Sequence, residues 1–315
     1  MEHIETDNNT AITAFILLGF GNAPALQIPL FLVFLIIYSV TMTGNIIIIV
    51  LVITDHHLHI PMYFFLGNLS CLETFYTSTL LPRMLASFLT GDRTISVGGC
   101  FIQLYCFGTL VVAECYLLAS MSYDRYLAIC KPLQYATLMS RRLCFLLSAI
   151  SWICGITVMT LVMSLMSQLK YCGPRKIDHF FCELTPVINL SSSDTTLVTL
   201  VGLTVSIIDT VPSCLLTLLS YICIIAAIIQ IPSSEGRKKA FSTCSSHLIV
   251  VSIFYGSLIF VYALPKKEAL RGVDKIFSVF YTVLTPLINP LIYSLRNKEV
   301  KKSLMRAVNK CGISK

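Results

Sequence analysis

The chain has 315 residues, of which 56% are hydrophobic and only 12% are charged. In soluble domains about a quarter of the residues are charged, so we expect most of the surface of this protein to face lipid rather than water. The composition excludes a disordered chain, a secreted disulfide scaffold and a soluble enzyme. The formal net charge of +7 is informative mainly through the positions of the basic residues.

Seven stretches are long and apolar enough to cross a bilayer as helices, which takes about 20 residues each. The second, third and fifth stretches contain one acidic residue each, namely Glu73, Glu114 and Asp209, and the others are uncharged. The stretches are Leu26–Thr54, Met62–Leu81, Thr94–Tyr123, Leu143–Leu169, Thr195–Ser234, Leu248–Pro265 and Ile276–Leu295. We therefore predict an all-α membrane protein, a seven-transmembrane helix bundle.

The basic residues predict the orientation of the bundle, because cytoplasmic loops are enriched in Lys and Arg. With the N-terminus outside, 14 of the 23 Lys and Arg residues fall on the cytoplasmic side. We expect an extracellular N-terminus over residues 1–25, a transmembrane domain over 26–295 and a cytoplasmic tail over 296–315. Within that tail, Arg296–Val308 has an apolar and a basic face, which predicts an amphipathic helix on the inner leaflet.

The outer segments contain two glycosylation sequons, of which the second is Asn189-Leu190-Ser191, and three cysteines. Asn8 begins the sequon Asn8-Asn9-Thr10, so we expect it to be glycosylated. A bridge between Cys100 and Cys182 would tie the long outer loop over the bundle and leave Cys172 over. The sequence alone does not determine which pair forms.

Two motifs place polar groups inside spans, where such groups are costly and indicate function. Asp124 and Arg125 stand together at the inner end of the third span, where the carboxylate can hold the guanidinium. A helix-end salt bridge without further function is the alternative. In the seventh span, Asn289 and Pro290 precede Tyr293, which predicts a bend with a polar relay.

Together with the seven spans, the motifs make the chain resemble rhodopsin-like G-protein-coupled receptors, and among them the olfactory receptors. The motifs are LHIPMYFFL at 58–66, MSYDRYLAIC at 121–130, Ser220-Tyr221, KAFSTCSSHL at 239–248 and PLINPLIY at 286–293. The chain departs from the usual pattern at Ser122 and Ile288, which are mild changes. It also has Ser192 where the family commonly has a third loop cysteine, so we expect Cys172 to be a free thiol.

The resemblance implies a receptor that binds small volatile molecules and activates a stimulatory, olfactory-type heterotrimeric G protein, which raises cyclic AMP. It implies no enzymatic activity, no cofactor and no nucleic-acid partner. We also expect no metal site, because His56, His57 and His59 lie on the cytoplasmic side and His59 belongs to the first motif. The implied location is the plasma membrane, in the cilia of olfactory neurons.

The resemblance places the ligand between the outer halves of the third, fifth and sixth spans. On those spans, helical spacing selects Phe107, Gly108, Val111, Val205, Ser206, Asp209, Tyr255, Leu258, Ile259 and Tyr262. The residues implied to couple to the G protein and to switch the bundle are Asp124, Arg125, Tyr126, Tyr221, Lys239, Asn289, Pro290 and Tyr293.

The acidic residues inside the spans leave two hypotheses open. Asp209 could bind a polar or cationic ligand, or it could be a neutral carboxyl packed against Ser206 or Ser213. For Glu114 we expect a structural polar contact.

Two rival functions have weaker support. A transporter would show paired half-repeats, and an amine receptor would need an acidic residue near Phe107 on the third span.

Overall fold

The computed structural model describes residues 12–21, 24–173, 175–263 and 271–313. The α-helices are α1 (Pro24–Thr54), α2 (Pro61–Thr90), α3 (Val97–Cys130), α4 (Tyr135–Leu138), α5 (Arg141–Met166), α6 (Leu184–Ile188), α7 (Thr196–Ile229), α8 (Ser234–Ala263), α9 (Arg271–Val279), α10 (Thr285–Arg296) and α11 (Lys298–Ile313). A 3-10 turn, His56–Leu58, follows α1, and a π-helical turn, Phe280–Leu284, joins α9 to α10. The strands are β1 (Ala14–Leu17), β2 (Thr94–Ser96) and β3 (Lys176–Ile177).

The long helices form one bundle. Within the described ranges, five helical segments are long and apolar enough to cross a membrane. They are α1, α3, α5, α7 and the continuous run from α9 through the π turn into α10. The helix α8 is a sixth if its two halves, bent by 44°, form one span. The seventh long helix is α2, which has 30 residues but is not among the candidate spans. Many of its side chains are buried inside the bundle. A helix shielded by its neighbours needs fewer lipid-soluble side chains. The predicted all-α seven-helix bundle is confirmed.

The helix α3 lies at the centre of the bundle. It packs against α2, α5, α7 and α8, while α1 covers α2 at the periphery. The outer surface of α7 is apolar, with Ile207, Leu215 and Ile222 all exposed. Because exposed aliphatic side chains alternate with buried polar ones, the bundle is suited to lipid on its outside and to polar contacts within.

Several helices extend beyond the apolar stretches that predict them. The helix α2 continues past Leu81 to Thr90 and ends at Gly91, whose φ of 73° reverses the chain. Likewise α8 begins at Ser234, well before the apolar stretch that starts at Leu248. Hydropathy marks only the part of a helix that contacts lipid, whereas backbone hydrogen bonding continues into the polar region at the membrane surface.

A small sheet closes the end of the bundle where the N-terminal strand lies, which we call the strand end. The sheet has the order β2-β1-β3, with β1 antiparallel to β2 and parallel to β3. The sequence analysis does not predict it, and it treats Thr94–Ser96 as the start of the third span. The strands have only four, three and two residues, too few to show an alternating pattern.

The opposite end of the bundle, which we call the tail end, carries the short helix α11. Asn297 Oδ1 accepts hydrogen bonds from the backbone N–H groups of Glu299 (3.0 Å) and Val300 (3.3 Å), which caps the start of α11. Tyr63 donates to the same oxygen at 2.9 Å. The helix predicted over Arg296–Val308 is therefore present, and it is anchored to α2.

Candidate ligand pocket and activation switch

The long loop between α5 and α7 is tied across the strand end of the bundle. A disulfide joins Cys100 at the start of α3 to Cys182 in the loop, with 5.5 Å between their Cα atoms. The backbone N–H of Cys182 also donates to Gln103 Oε1 at 3.0 Å. Cys172 is free and exposed. Of the three candidate cysteines, Cys100 and Cys182 are therefore the bonded pair.

Phe107 lies in an aromatic cluster beneath this loop. Its ring centroid is 4.8 Å from that of Phe181 in the loop, 5.0 Å from Tyr76 of α2 and 6.1 Å from Tyr281 of the π turn. Gly108, the next predicted contact, faces Met159 of α5, because a Cβ atom there would lie 2.5 Å from the Met159 sulfur. Successive helix residues point about 100° apart, so Phe107 and Gly108 serve different neighbours.

Asp209 of α7 is buried and points toward α3. Its Oδ1 accepts a hydrogen bond of 2.8 Å from the hydroxyl of Tyr116 on α3. Ser213 donates to the Asp209 main-chain oxygen, and Ser206 donates to the Gly202 main-chain oxygen. Neither serine therefore bonds the carboxyl group; Tyr116, which the sequence analysis does not single out, takes that part.

The other predicted ligand contacts are distributed between interior and exterior. Tyr255 of α8 is buried and donates to the Cys115 main-chain oxygen of α3 at 3.0 Å. Leu258 is 2% exposed, whereas Ile259 is 51% exposed and does not join it in the interior. Val111 and Val205 are half-buried and pack at the edges of the apolar core. The side chain of Tyr262 lies outside the described residues, as does Asn8.

The Asp124-Arg125 pair forms a closed contact at the tail end of α3. The guanidinium of Arg125 donates to Asp124 Oδ2, and both side chains are at least nine-tenths buried. Tyr135 of α4 donates to the other carboxylate oxygen, Oδ1, at 2.8 Å. Asp124 is thus held from two sides, by its sequence neighbour and by the segment that connects α3 to α5.

The groups facing Arg125 come from α7 and α8. The Tyr221 hydroxyl lies 2.7 Å from His247 Nδ1, which links the two helices. A narrow cavity of about 180 Å³ lies between α2, α3 and α8 and is lined by Met62, Met121, Asp124, Arg125 and His247. His247 belongs to the KAFSTCSSHL motif, which the sequence analysis recognises without assigning it a role.

The polar residues of the seventh span face α1 and α2. Asn289 Nδ2 donates a hydrogen bond to Glu73 Oε1, and both residues are almost fully buried. Pro290 packs against Gly44, where a Cβ atom would lie only 2.9 Å from the proline ring. Tyr293 is fully buried near the tail end, and Tyr126 is half-buried beside Tyr123. The side chain of Lys239 lies outside the described residues.

The histidines beside the 3-10 turn form local contacts at the tail end. His56 and His59 approach within 3.4 Å through their Nδ1 atoms, and His57 Nδ1 lies 2.8 Å from Asp55 Oδ1. In the part of the chain that the structure describes, no group of three or more His, Cys, Asp or Glu side chains could hold a metal ion.

The tied loop, the central third helix and the closed Asp-Arg contact are the arrangement that the resemblance to rhodopsin-like receptors leads us to expect. A family model for olfactory receptors matches residues 34–310. The chain belongs to the olfactory receptor family.

Individual relatives match over nearly the whole chain. Olfactory receptor 6B1 of Homo sapiens is 46% identical over 303 residues, covering 96% of this chain and 97% of that one. Olfactory receptor 5AP2 of Mus musculus is 45% identical over 306 residues, covering 97% and 96%. The crystal structure of squid rhodopsin superposes with a TM-score of 0.70 at 16% identity, covering 99% of this chain and 90% of that one. The last match shows the shared seven-helix fold.

The family determines the broad function of this olfactory receptor. It is a multi-pass membrane protein and a signalling receptor of the G-protein-coupled class, not an enzyme. Its ligands are odorants and its partner is a G protein. The transporter and amine-receptor alternatives are therefore set aside.

Proposed function

We propose that this receptor binds small volatile odorants beneath the tied loop and activates a stimulatory, olfactory-type G protein, which raises cyclic AMP. The closed contact between Asp124 and Arg125 is the observation that carries the proposal. A guanidinium that is almost fully buried and held by one carboxylate is a group that a conformational change can release.

The proposed odorant site lies in the interior between α3, α7 and α8. Phe107, Tyr255 and Leu258 supply apolar surface that is already buried. Apolar contacts contribute about 25 cal/mol per Å² and tolerate many shapes, so broad selectivity is expected. For Asp209 we favour the structural hypothesis, because its carboxyl already accepts from Tyr116. Val111, Val205, Ser206 and Tyr262 complete the proposed set, whereas Gly108, which faces Met159 of α5, and Ile259, which is 51% exposed, are left out of it.

Activation in this proposal is a shift between two packings of the bundle. An agonist stabilises the packing in which the tail end of α8 moves away from α3, which separates His247 from Tyr221. Tyr221 and Tyr293 then help hold Arg125 in a position that reaches the G protein. A ligand can cause this shift only through a difference in its affinity for the two packings.

The proposed orientation puts the strand end outside the cell and the tail end in the cytoplasm. The exposed basic residues Arg141, Arg142, Arg237 and Lys238 surround the opening at the tail end and would contact the G protein together with Lys239. The amphipathic helix α11 would lie on anionic lipid of the inner leaflet. Asn8 would be glycosylated outside the cell, and the receptor would reside in the cilia of olfactory neurons.

The test measures cyclic AMP in cells that express the receptor and the olfactory G protein, against a chemically broad odorant panel. We expect a dose-dependent rise that disappears in Arg125→Ala. Lys302→Ala is the matched control, because Lys302 is a basic residue on exposed α11 that pairs only locally with Glu299. Antibody staining of an N-terminal tag on unpermeabilised cells measures surface expression and orientation.

A full response in Arg125→Ala at equal surface expression would contradict the proposed switch. Silence of a receptor shown to be at the surface, across the whole panel and with other G proteins, would contradict the proposed signalling. Staining that requires permeabilisation would contradict the orientation.

A further inference from the structure

An open cleft of about 420 Å³ lies at the strand end, away from the proposed odorant site. It is bounded by the segment after β1, by the last turns of α2 and by the long loop. Its lining residues are Leu17, Gly19, Phe20, Arg83, Met84, Ser87, Phe88, Arg93 and Phe180.

One wall of the cleft is aromatic. The ring of Phe20 stacks on Phe180 with centroids 5.1 Å apart, on Phe34 at 6.0 Å and on Phe88 at 6.5 Å. Phe20 is nevertheless 39% exposed, so its ring borders the opening rather than the protein core. A set of parallel rings at an opening is suited to a flat or linear apolar ligand.

The other wall carries two guanidinium groups. Arg93 donates to the main-chain oxygens of Leu18 (3.1 Å) and Gly21 (2.9 Å), and Arg83 donates to the main-chain oxygen of Thr94. A guanidinium has five N–H donors, so these bonds leave donors available on both groups. Among the described residues, neither arginine forms an ion pair with a carboxylate.

The Asp92 carboxylate does not neutralise the two arginines. The Oδ1 atom of Asp92 accepts hydrogen bonds from the backbone N–H and the hydroxyl of Thr94, both at 2.8 Å. These bonds, and to a smaller extent the charge of Arg83, lower the pKa of the Asp92 carboxyl. Lys275 at the same rim pairs with Asp178, so among the described residues the two arginines outnumber Asp92 and leave the rim with a net positive charge. Positive donors and aromatic rings that line the same cleft match a ligand with a carboxylate at one end and an apolar body.

We propose that this cleft is a second binding site, which takes small amphiphilic monocarboxylates with the carboxylate on Arg83 and Arg93 and the apolar body on the Phe20–Phe180 stack. The site belongs to the receptor surface and needs neither the odorant pocket nor the G protein to bind its ligand.

The same rings connect the cleft to the proposed odorant site. Phe180 lies 5.0 Å from Phe181, and Phe181 lies 4.8 Å from Phe107, all as centroid distances. A carboxylate that moves Phe180 therefore moves a ring that contacts the odorant site, and the coupling must be reciprocal. This second statement rests on the proposed function, whereas binding in the cleft does not.

The test measures protection of an introduced thiol in purified receptor held in lipid nanodiscs, where both faces are open to reagent. Ser87→Cys puts the thiol in the cleft, in a Cys172→Ser/Cys223→Ser background that removes both native thiols that are exposed among the described residues. A neutral methanethiosulfonate labels the thiol, and 3-phenylpropionate is expected to slow labelling in a saturable way. The matched probe, 3-phenylpropan-1-ol, has the same body without the carboxylate and should protect at least tenfold less well.

A charge variant supplies the second comparison. Arg83→Gln should weaken protection by 3-phenylpropionate about tenfold, because a charge-assisted hydrogen bond is lost, and Arg83→Lys should restore part of it. Arg175→Gln is the control, since Arg175 is an exposed arginine at the same end and does not line the cleft.

Three results would overturn the site. They are equal protection by acid and alcohol, no protection by the acid at millimolar concentration, and a thiol at position 87 that does not react without a probe. The first two results are obtained without any change at Arg83, so the site can be rejected even if the arginine variants fold poorly. A receptor that fails the cyclic AMP test but shows acid-specific protection would retain the site and lose only the proposed signalling.

Discussion

Asp209 illustrates how a single side chain is accommodated inside the bundle. The residue is 5% exposed, and within the described residues its second carboxyl oxygen, Oδ2, has no hydrogen-bond partner. The bond from Tyr116 is therefore the contact that compensates for burial on the α3 side. A buried polar group that loses such a partner costs about 1–3 kcal/mol.

We expect Tyr116→Phe to lower the free energy of unfolding by about 1–3 kcal/mol, because Asp209 then loses its hydrogen-bond donor. The measurement is the thermal midpoint of purified receptor in nanodiscs. Tyr105→Phe is the control, because Tyr105 on the same helix bonds Thr160 at an exposed position.

The double variant Tyr116→Phe/Asp209→Ala should be more stable than the sum of the two single effects predicts, since the second change removes the stranded carboxyl group. Strict additivity would contradict a direct coupling. Odorant potency in Asp209→Asn gives a separate result: a selective loss of potency for polar odorants would favour the ligand-contact hypothesis instead.

Sequence spacing identifies the inward face of a span better than it identifies partners across helices. It selects Phe107, Tyr255 and Leu258, all of which are buried. It also selects Ile259, which is exposed, because adjacent residues on a helix differ by about 100° and a face cannot be drawn to one position. The bond from Tyr116 to Asp209 joins residues 93 positions apart, and no local pattern reports such a contact.

At the scale of helices, close packing of α3 against α5 depends on a residue without a side chain. A Cβ atom on Gly155 of α5 would lie 2.3 Å from the main-chain oxygen of Thr109 on α3. Backbone cannot rotate away as a flexible side chain can, so the two helices would have to separate.

We therefore expect Gly155→Ala to destabilise the receptor by about 1–3 kcal/mol, measured as a lower thermal midpoint and lower surface expression. Gly256→Ala on α8 is the matched control, because nothing lies within 4 Å of a Cβ atom there. That change should be neutral or slightly stabilising, since alanine favours helix over glycine. Equal effects of both changes would contradict the packing argument.

The tail helix α11 is held by an ion pair to the turn after α1. Arg306 donates to Asp55 Oδ2 from Nη2 at 2.6 Å and from Nε at 3.2 Å. The Ser303 hydroxyl, the Arg306 guanidinium and the His57 ring beside Asp55 hold the pKa of its carboxyl well below the ordinary value of 3.8. A carboxyl whose pKa is lowered in the folded state stabilises that state at any pH above its ordinary pKa. This contribution is lost as the pH falls from the ordinary pKa toward the lowered one.

We expect Arg306→Gln to lower the free energy of unfolding by less than about 1 kcal/mol, because Arg306 is partly exposed and its charge is screened. The difference from wild type should stay constant from neutral pH down to the ordinary pKa of 3.8 and shrink only below it. Thermal midpoints measured across this range test the prediction. Lys302→Gln, which breaks an exposed pair on the same helix, should have no measurable effect. A difference that vanishes already near neutral pH would contradict Asp55 as the titrating group.

The sequence predicts a helix where its residues are apolar enough to lie in lipid. The seven apolar stretches correspond to the seven long helices, and the polar face of Arg296–Val308 corresponds to α11. The ends of α2 and α8 could not be predicted from hydropathy, because those turns lie in the polar region at the membrane surface. The β1–β2 and β1–β3 pairings could not be predicted either, since they join segments far apart in the chain.

At the scale of the whole molecule, one covalent bond connects the long loop to the centre of the bundle. The bridge between Cys100 and Cys182 spans a sequence separation of 82 residues, and both half-cystines are fully buried. Closing a long loop restricts the unfolded chain, and removing a native disulfide typically costs about 2–5 kcal/mol.

Cys182→Ser is therefore expected to reduce the amount of receptor at the cell surface strongly, with a correspondingly lower thermal midpoint. Cys172→Ser provides the comparison within the same loop, because that thiol is exposed and unbonded. It should leave both measurements unchanged. A loss of expression in Cys172→Ser equal to that in Cys182→Ser would contradict the pairing seen in the structure.

The π turn at Phe280–Leu284 has a geometric consequence for the seventh span. The Thr285 backbone N–H bonds the Phe280 oxygen five residues earlier, so this turn contains one residue more than an α-helical turn. One surplus residue offsets the two halves of the span by about 100° around their common axis. Returning the turn to a regular helix would thus rotate Asn289 away from Glu73 and would also displace the following residues along the helix axis by about 1.5 Å. The extra residue in the π turn therefore fixes the rotation of the segment from Asn289 to Tyr293 about the helix axis. That rotation keeps these side chains directed into the bundle.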